Sequence, residues 1–279
     1  MVCQELRLGQ FADWSSQRRA TITEESPSPG VAIGLELFHD DAFMHSLAQR
    51  DRRSEWMDHP DLDVKLHHQA LVGLRRINWF SGIAPHFWRI LKALASNSGS
   101  QPLRVLDVAS GGGDIPIRLA LRAARAGVKL QFSGCDVSPT AVAAAQQAAT
   151  RAGAQSLEFF QHDALRSELP SQYHVVMCSL FLHHLSGSEA EMLLRRMAAA
   201  ARHAVLVDDL LRTQVGYFLA WAGCRLLTRS PVVHMDGPLS VRAAFSWEEA
   251  QVLAVRAGLS SAVFSRHWPQ RYFMHWSRS

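Results

Sequence analysis

The chain of 279 residues has only four cysteines, Cys3, Cys135, Cys178 and Cys224, and no two stand at a metal-ligand spacing. That argues against a zinc-stapled fold. Cys135 and Cys178 lie in apolar strand-like runs and read as reduced core residues. No apolar stretch is long enough to span a bilayer. The longest, Val215 to Cys224, stops at Arg225. No apolar h-region follows Met1-Val-Cys-Gln-Glu5, so a cytoplasmic protein is expected. There is no block of basic charge. The 29 Lys and Arg against 25 Asp and Glu give a net +4, scattered in pairs such as Arg52-Arg53, Arg75-Arg76 and Arg195-Arg196. No nucleic-acid stripe is therefore expected. What the chain does have is 48% hydrophobic residues and 19% charged ones, enough for a large core in one or two domains.

Residues 1–40 show no periodicity, and Thr21 to Gly30 is rich in Ser, Thr, Glu and Pro; a flexible segment is expected there. Residues 41–100 read as a helical cap: Leu62, Leu66, Ala70, Leu71 and Leu74 recur near helical spacing, and a second helix is expected from Pro85 to Ala95. From 101 to 279 strands and helices alternate. Strands are expected at 104–108, 129–135, 157–161, 174–178, 203–208, 261–266 and 271–276, and helices at 114–126, 139–152, 188–201 and 247–257. Ser138-Pro139 gives one helix an N-cap and a proline at N1, and Ser246 with Glu249 gives another a capping box. This order predicts an α/β fold with a doubly wound, mostly parallel, seven-stranded sheet. Residues 210–245 form an insertion, with a helix expected from Thr213 to Leu227 and a loop over 229–245.

The most informative segment is Arg104-Val-Leu-Asp-Val-Ala-Ser-Gly-Gly-Gly-Asp114. A strand carrying Asp107 breaks into glycines and restarts as a helix, a corner suited to a nucleoside or phosphate. Two carboxylates, Asp107 and Asp114, would repel a pyrophosphate and welcome a cationic ligand with a free amino group. Asp136 ends the second strand 23 residues past Gly113, where a carboxylate can accept both ribose hydroxyls.

The run Asp107 to Asp114 resembles motif I of class I S-adenosylmethionine-dependent methyltransferases. It has the D-x-A-x-G-x-G-D form of quinone-biosynthesis C-methyltransferases and related small-molecule enzymes, with Ala109 at the usual first glycine. The resemblance covers about 103–210, and the pairing of a parallel sheet with a final hairpin around His267-Trp-Pro-Gln270 is similar to that fold. It implies S-adenosylmethionine as cofactor, held by Asp107, Ala109, Ser110, Gly111, Gly113 and Asp114, by Asp136 and Val137, and by Asp163 and Ala164 at the adenine. Ser179 and Leu180 are implied to line the methionine moiety. The acceptor implied is a small aromatic, quinone or polyketide-like molecule, methylated on oxygen or carbon. Neither an Asn-Pro-Pro-Tyr-like run nor a Pro-Cys pair follows the fourth strand, which disfavours amide N-methylation and a cysteine nucleophile.

Candidates for acceptor chemistry are less defined. His183, His184 and His234 could take a proton, and both members of the His183-His184 pair could equally be loop histidines. Asp208, Trp221 and Arg242 are candidate substrate contacts, Trp79, Phe80 and Trp221 candidate apolar walls, and 229–245 a loop facing the pocket. Asp208 and Asp209 close the fifth strand, but the fourth strand ends in Cys178-Ser179 without an acid, so no metal is expected. An NAD-dependent oxidoreductase is the rival enzyme class. It would want a third glycine where Pro116 stands. A non-catalytic S-adenosylmethionine-binding module is the other alternative.

Overall fold

In the computed structural model, the described residues are 47–278 apart from 54, 59–61, 97, 98, 100 and 155. The flexible segment expected at 1–40 lies outside them. The described residues all belong to one compact unit, so the helices before the sheet pack as part of it.

Two helices precede the sheet, α1 (Val64–Phe80) and α2 (Ile83–Ser96). The order continues β1 (Leu103–Val108), α3 (Asp114–Ala126), β2 (Leu130–Asp136), α4 (Pro139–Ala152), β3 (Glu158–Gln161), β4 (Val175–Ser179), α5 (Gly187–Ala200) and β5 (Ala204–Leu210). The chain ends with α6 (Gln214–Leu227), α7 (Pro231–Ala243), α8 (Trp247–Arg256), β6 (Val263–His267) and β7 (Arg271–Ser277). The strand order is β3-β2-β1-β4-β5-β7-β6, with β7 antiparallel to both neighbours. The expected strands and helices are present with ends displaced by one or two residues, and Asp63 rather than an earlier residue caps α1.

Alternation along the strands sends side chains to two cores. Val105, Val175, Met177, Ala204 and Leu206 meet α2 and α3 on one face. Leu106, Val108, Val176, Cys178, Val205 and Val207 meet α5 and α8 on the other. The free thiols of Cys135, Cys178 and Cys224 are all buried. Burial pushes Cys135 up to about 12 and Cys224 up to about 11, which suits inert packing groups rather than nucleophiles.

The expected loop at 229–245 is largely a helix. Ser230 accepts from the Val233 N–H and Pro231 opens α7, the same Ser-Pro signature as at 138–139. Gly237-Pro238 suggests a break, since an interior proline costs about 3 kcal/mol. Tertiary contacts override it. The Asp236 carboxylate accepts from the backbone N–H groups of Trp56 and Met57 at 2.9 and 3.1 Å. A Cβ on Gly237 would lie 2.3 Å from Cys224 Sγ, so glycine is what lets α7 lie against α6.

Candidate active site

The carboxyl ends of β1, β2, β3 and β4 meet along one edge, where an open α/β sheet binds its ligands. Helices α1, α6 and α7 rise above that edge and enclose a cleft of about 1120 Å³. Its floor is the glycine corner. Ala109, Gly111 and Gly113 have φ of 54, 51 and 73°, and Leu180, past β4, has 54°. Left-handed backbone on Ala and Leu costs roughly 1–2 kcal/mol each. Its occurrence at the ends of the two central strands marks a constrained functional edge. Gly113 has a second constraint: a Cβ there would lie 2.5 Å from the Phe159 ring.

Asp136 is fixed before any ligand arrives. It accepts from Gly111 N and Ser138 N, each at 2.9 Å. Asp163 accepts from Leu165 N at 2.9 Å and from Arg166 N at 3.2 Å. Asp114 takes a 3.1 Å hydrogen bond from Asn78 of α1. Burial, together with the charges of Asp114 and Asp136, pushes Asp107 well above the usual carboxylate range, and burial raises Asp114 as well. Asp107 Oδ1, Ser110 Oγ and Asn78 Oδ1 are buried with no hydrogen-bond partner. Orphaned buried polar atoms are uncommon. Here they collect in one acid-rich corner, which fits a ligand bringing an ammonium, a sulfonium and hydroxyl groups.

Of the cofactor residues read from the sequence, Ala109, Ser110, Gly111, Asp114, Asp136, Val137, Asp163, Ala164, Ser179 and Leu180 all line this cleft. Asp107 and Gly113 are buried beneath it. His162 also lines it, with Nε2 buried and unpartnered. That residue was not singled out in the sequence, although it stands next to Asp163.

His183 and His184 lie in a short 3₁₀ turn, Leu182–His184, after β4. His183 is buried, its Nδ1 2.6 Å from Asp209 Oδ1 and its backbone N–H 3.1 Å from Asp209 Oδ2. Burial opposes ionisation of Asp209, but His183 outweighs it and holds that carboxyl below its usual range. His183 Nδ1 is thus engaged, which leaves Nε2 as the ring nitrogen for the cleft. The His184 ring is 4.3 Å from that of His183. Glu55, from the strap before α1, brings a carboxylate oxygen 3.9 Å from His184 Nδ1 and accepts from Ser240 Oγ of α7 at 2.5 Å. All four side chains line the cleft. Neither Glu55 nor Ser240 was anticipated, and neither has a local motif that would reveal it.

The strap also holds the histidine turn. Arg50 donates to the His183 carbonyl at 2.7 Å, lies over the Phe245 ring at 3.8 Å, and is lowered by burial to about 10. Arg52 donates to the His184 carbonyl at 3.0 Å. Glu55, His183 and His184 offer ligand atoms within 4.8 Å of one another, the one such metal-capable group among the described residues.

The remaining acceptor candidates sit elsewhere. His234 Nε2 reaches back to the Thr228 carbonyl at 2.8 Å. Arg242 pairs with Asp51 at 2.9 Å. Trp221 stacks on Phe218 and under Arg225. Asp208 is fully buried on the opposite sheet face from Asp209, 2.6 Å from His267 Nε2 and 3.4 Å from Arg271. None of these four lines the cleft. A helix where a loop was expected explains two of them, since α7 presents Gly237, Ser240 and Val241 to the cleft instead. Of the expected walls, Trp79 is exposed and outside the cleft, and the Phe80 side chain lies outside the described ones.

Sheet order, glycine corner and strand-end carboxylates together have the arrangement of the class I S-adenosylmethionine-dependent methyltransferase fold. Residues 105–204 match the model of the methyltransferase domain family. No curated protein sequence matches the chain. Among solved structures it is similar to a candidate O-methyltransferase from Nostoc punctiforme PCC 73102, with 18% identity, TM-score 0.52, and coverage of 85% of this chain and 67% of that one. It is also similar to an O-methyltransferase family 2 protein from Planctomyces limnophilus DSM 3776, solved with apigenin. There the identity is 15% and the TM-score 0.55, over 79% of this chain and 63% of that one. The chain thus spans about two thirds of each neighbour. Residues 105–204 are thus a methyltransferase domain, and that domain implies S-adenosylmethionine as the cofactor.

Proposed function

We propose that this methyltransferase methylates a phenolic or enolic hydroxyl of a small, largely apolar metabolite, with His183 as the proton acceptor. The observation that carries this reading is the buried His183–Asp209 pair, with Nδ1 held at 2.6 Å and Nε2 left to the cleft. The bound cofactor supplies a methyl group already activated by its sulfonium. The protein's task is to hold the acceptor oxygen in line and to remove its proton. His183 Nε2 takes that proton, and Asp209 fixes the tautomer and stabilises the imidazolium that forms. Glu55, Ser240 and His184, clustered beside His183, orient the hydroxyl. Asp107, Ala109 to Gly111, Asp114, Asp136 and Asp163 hold the cofactor, and Leu180, at a strained strand end, packs beside its reactive side. An oxygen acceptor is also what the descriptions of both structural neighbours name.

A small-molecule acceptor fits the scattered basic residues, which form no nucleic-acid stripe. Among the described residues no helix is long and apolar enough to cross a membrane. We place the enzyme in the cytoplasm.

The test is S-adenosylhomocysteine release on a panel of phenols and enols, with hydroxyl-free amines as controls, across pH 5–9. Turnover is expected on hydroxyl acceptors and not on the amines. Asp209→Asn should abolish most of the rate. Equal turnover on the amines would overturn the hydroxyl assignment.

A further inference from the structure

The cleft is larger than a cofactor corner and a small head group require. Its volume of about 1120 Å³ exceeds the range of about 300–1,000 Å³ for whole small-molecule sites. Its chemistry is also divided. Near His183 the acceptor side carries the polar cluster of Glu55, His184 and Ser240. Away from that cluster every α6 residue lining the cleft, from Gly216 to Leu227, is apolar, and α1 contributes Leu71, Val72, Leu74 and Ile77, with its polar lining residues Arg75 and Asn78 turned toward Asp114 of the cofactor corner. Helix α6 carries one charge, Arg225, yet only Gly216 and Cys224 of its 14 residues are buried. A helix apolar nearly all round is normally buried on every side. Here one side is turned to an open space continuous with the reactive end, and Leu226, at 84% exposure, stands among the residues lining it.

We infer that the acceptor is an amphiphile: its hydroxylated head meets His183, and a hydrocarbon chain runs along the wall between α1 and α6. The inference rests on the hydroxyl-methylation reading above and adds the substrate class. A chain laid there covers the apolar side of α6 that the described residues leave open, and each buried methylene contributes roughly a fourfold gain in affinity. The polar cluster fixes which end enters first, because burying its groups against hydrocarbon would leave them unpaired.

The experiment is calorimetric binding of 4-alkylphenols from methyl to octyl, below their micelle concentrations, to the full chain saturated with S-adenosylhomocysteine. It is run beside methyl transfer from S-adenosylmethionine to the same compounds. The comparison protein is Gly223→Phe. A Cβ at Gly223 meets no atom within 4 Å, so the larger ring extends into open space without displacing the fold. Native protein should tighten roughly fourfold per methylene over several carbons. Gly223→Phe should lose that dependence and keep native cofactor affinity. Affinity independent of chain length, or the same dependence in both proteins, would overturn the tail site. Chain-length-dependent binding without methyl transfer to any phenol would leave the tail site standing and remove the hydroxyl reading instead.

Discussion

At the cofactor end of the cleft, Ala109, Ser110, Gly111, Asp136, Asp163 and Leu180 each stand within a few residues of a strand end on one sheet edge. At the acceptor end, Glu55 comes from a strap before the first helix, Ser240 from α7, and only the histidines from the sheet. The first region is acidic, strained and rich in orphaned polar atoms. The second has one polar cluster set in apolar walls. The difference teaches how labour is divided. A cofactor shared by many enzymes can be held by the regular geometry of a strand-turn-helix edge. The acceptor is met by parts that can vary without disturbing that edge.

The sharpest way to break this division is to damage one region and measure the other. His183→Ala should lower the turnover number on a phenol acceptor by about 10²–10⁴-fold, the usual contribution of a positioned base. Calorimetric affinity for S-adenosylmethionine should stay within about twofold, since His183 is absent from the cofactor corner. A comparable loss of cofactor affinity would merge the two regions.

The converse substitution is expected to be smaller in effect. Asp136→Ala removes hydrogen bonds to a charged acceptor and should weaken S-adenosylmethionine by roughly ten- to a hundredfold. It should leave turnover at saturating cofactor close to native. Unchanged affinity in a folded variant would displace Asp136 from the ribose.

A third expectation concerns pH. Asp107 is held well above its ordinary carboxylate value by burial and by Asp114 and Asp136. Its folded pKa exceeds the unfolded value of about 3.9. The stability it contributes is therefore full below that unfolded value and is lost as pH rises through the folded one. A bound cation favours the ionised form, so cofactor binding should release a proton and strengthen toward high pH. The rise in melting temperature produced by S-adenosylmethionine should be larger at pH 8 than at pH 6. Asp107→Asn should flatten the difference. A shift independent of pH in the native protein would contradict this electrostatic account.

The smallest expected effect is none. With the His183–Asp209 pair as the proposed base no metal is needed, so dialysis against EDTA should leave turnover unchanged and added Mg²⁺, Mn²⁺ or Zn²⁺ should not raise it. Loss with EDTA and recovery with one of these ions would reassign Glu55, His183 and His184, which stand within 4.8 Å, as ligands.

The two regions also differ in how far they could be read from the sequence. Asp107, Asp136 and Asp163 are visible because each follows an apolar run that has to be a strand, and the sheet edge then gathers them. Glu55 and Ser240 have no such signal, being 185 residues apart in sequence. The choice between Asp208 and Asp209 turned on strand alternation. Val205 and Val207 share the α5 side with Asp209, while Ala204 and Leu206 share the other face with Asp208. That period was present in the sequence, but which face carried the histidine turn was not. His234 and Arg242 were placed at the cleft by reading 229–245 as a loop. The cap at Ser230-Pro231 was available to show a helix, whose one cleft-facing side excludes both.

The most direct measurement of the central claim is a crystal structure with S-adenosylhomocysteine and a phenol acceptor bound together. The account predicts the phenol oxygen within about 2.6–3.2 Å of His183 Nε2, with the cofactor carboxyl end and ribose confined to the Asp107–Asp136 corner. A phenol oxygen bound away from His183, or held there through an ion on Glu55 and His184, would contradict it.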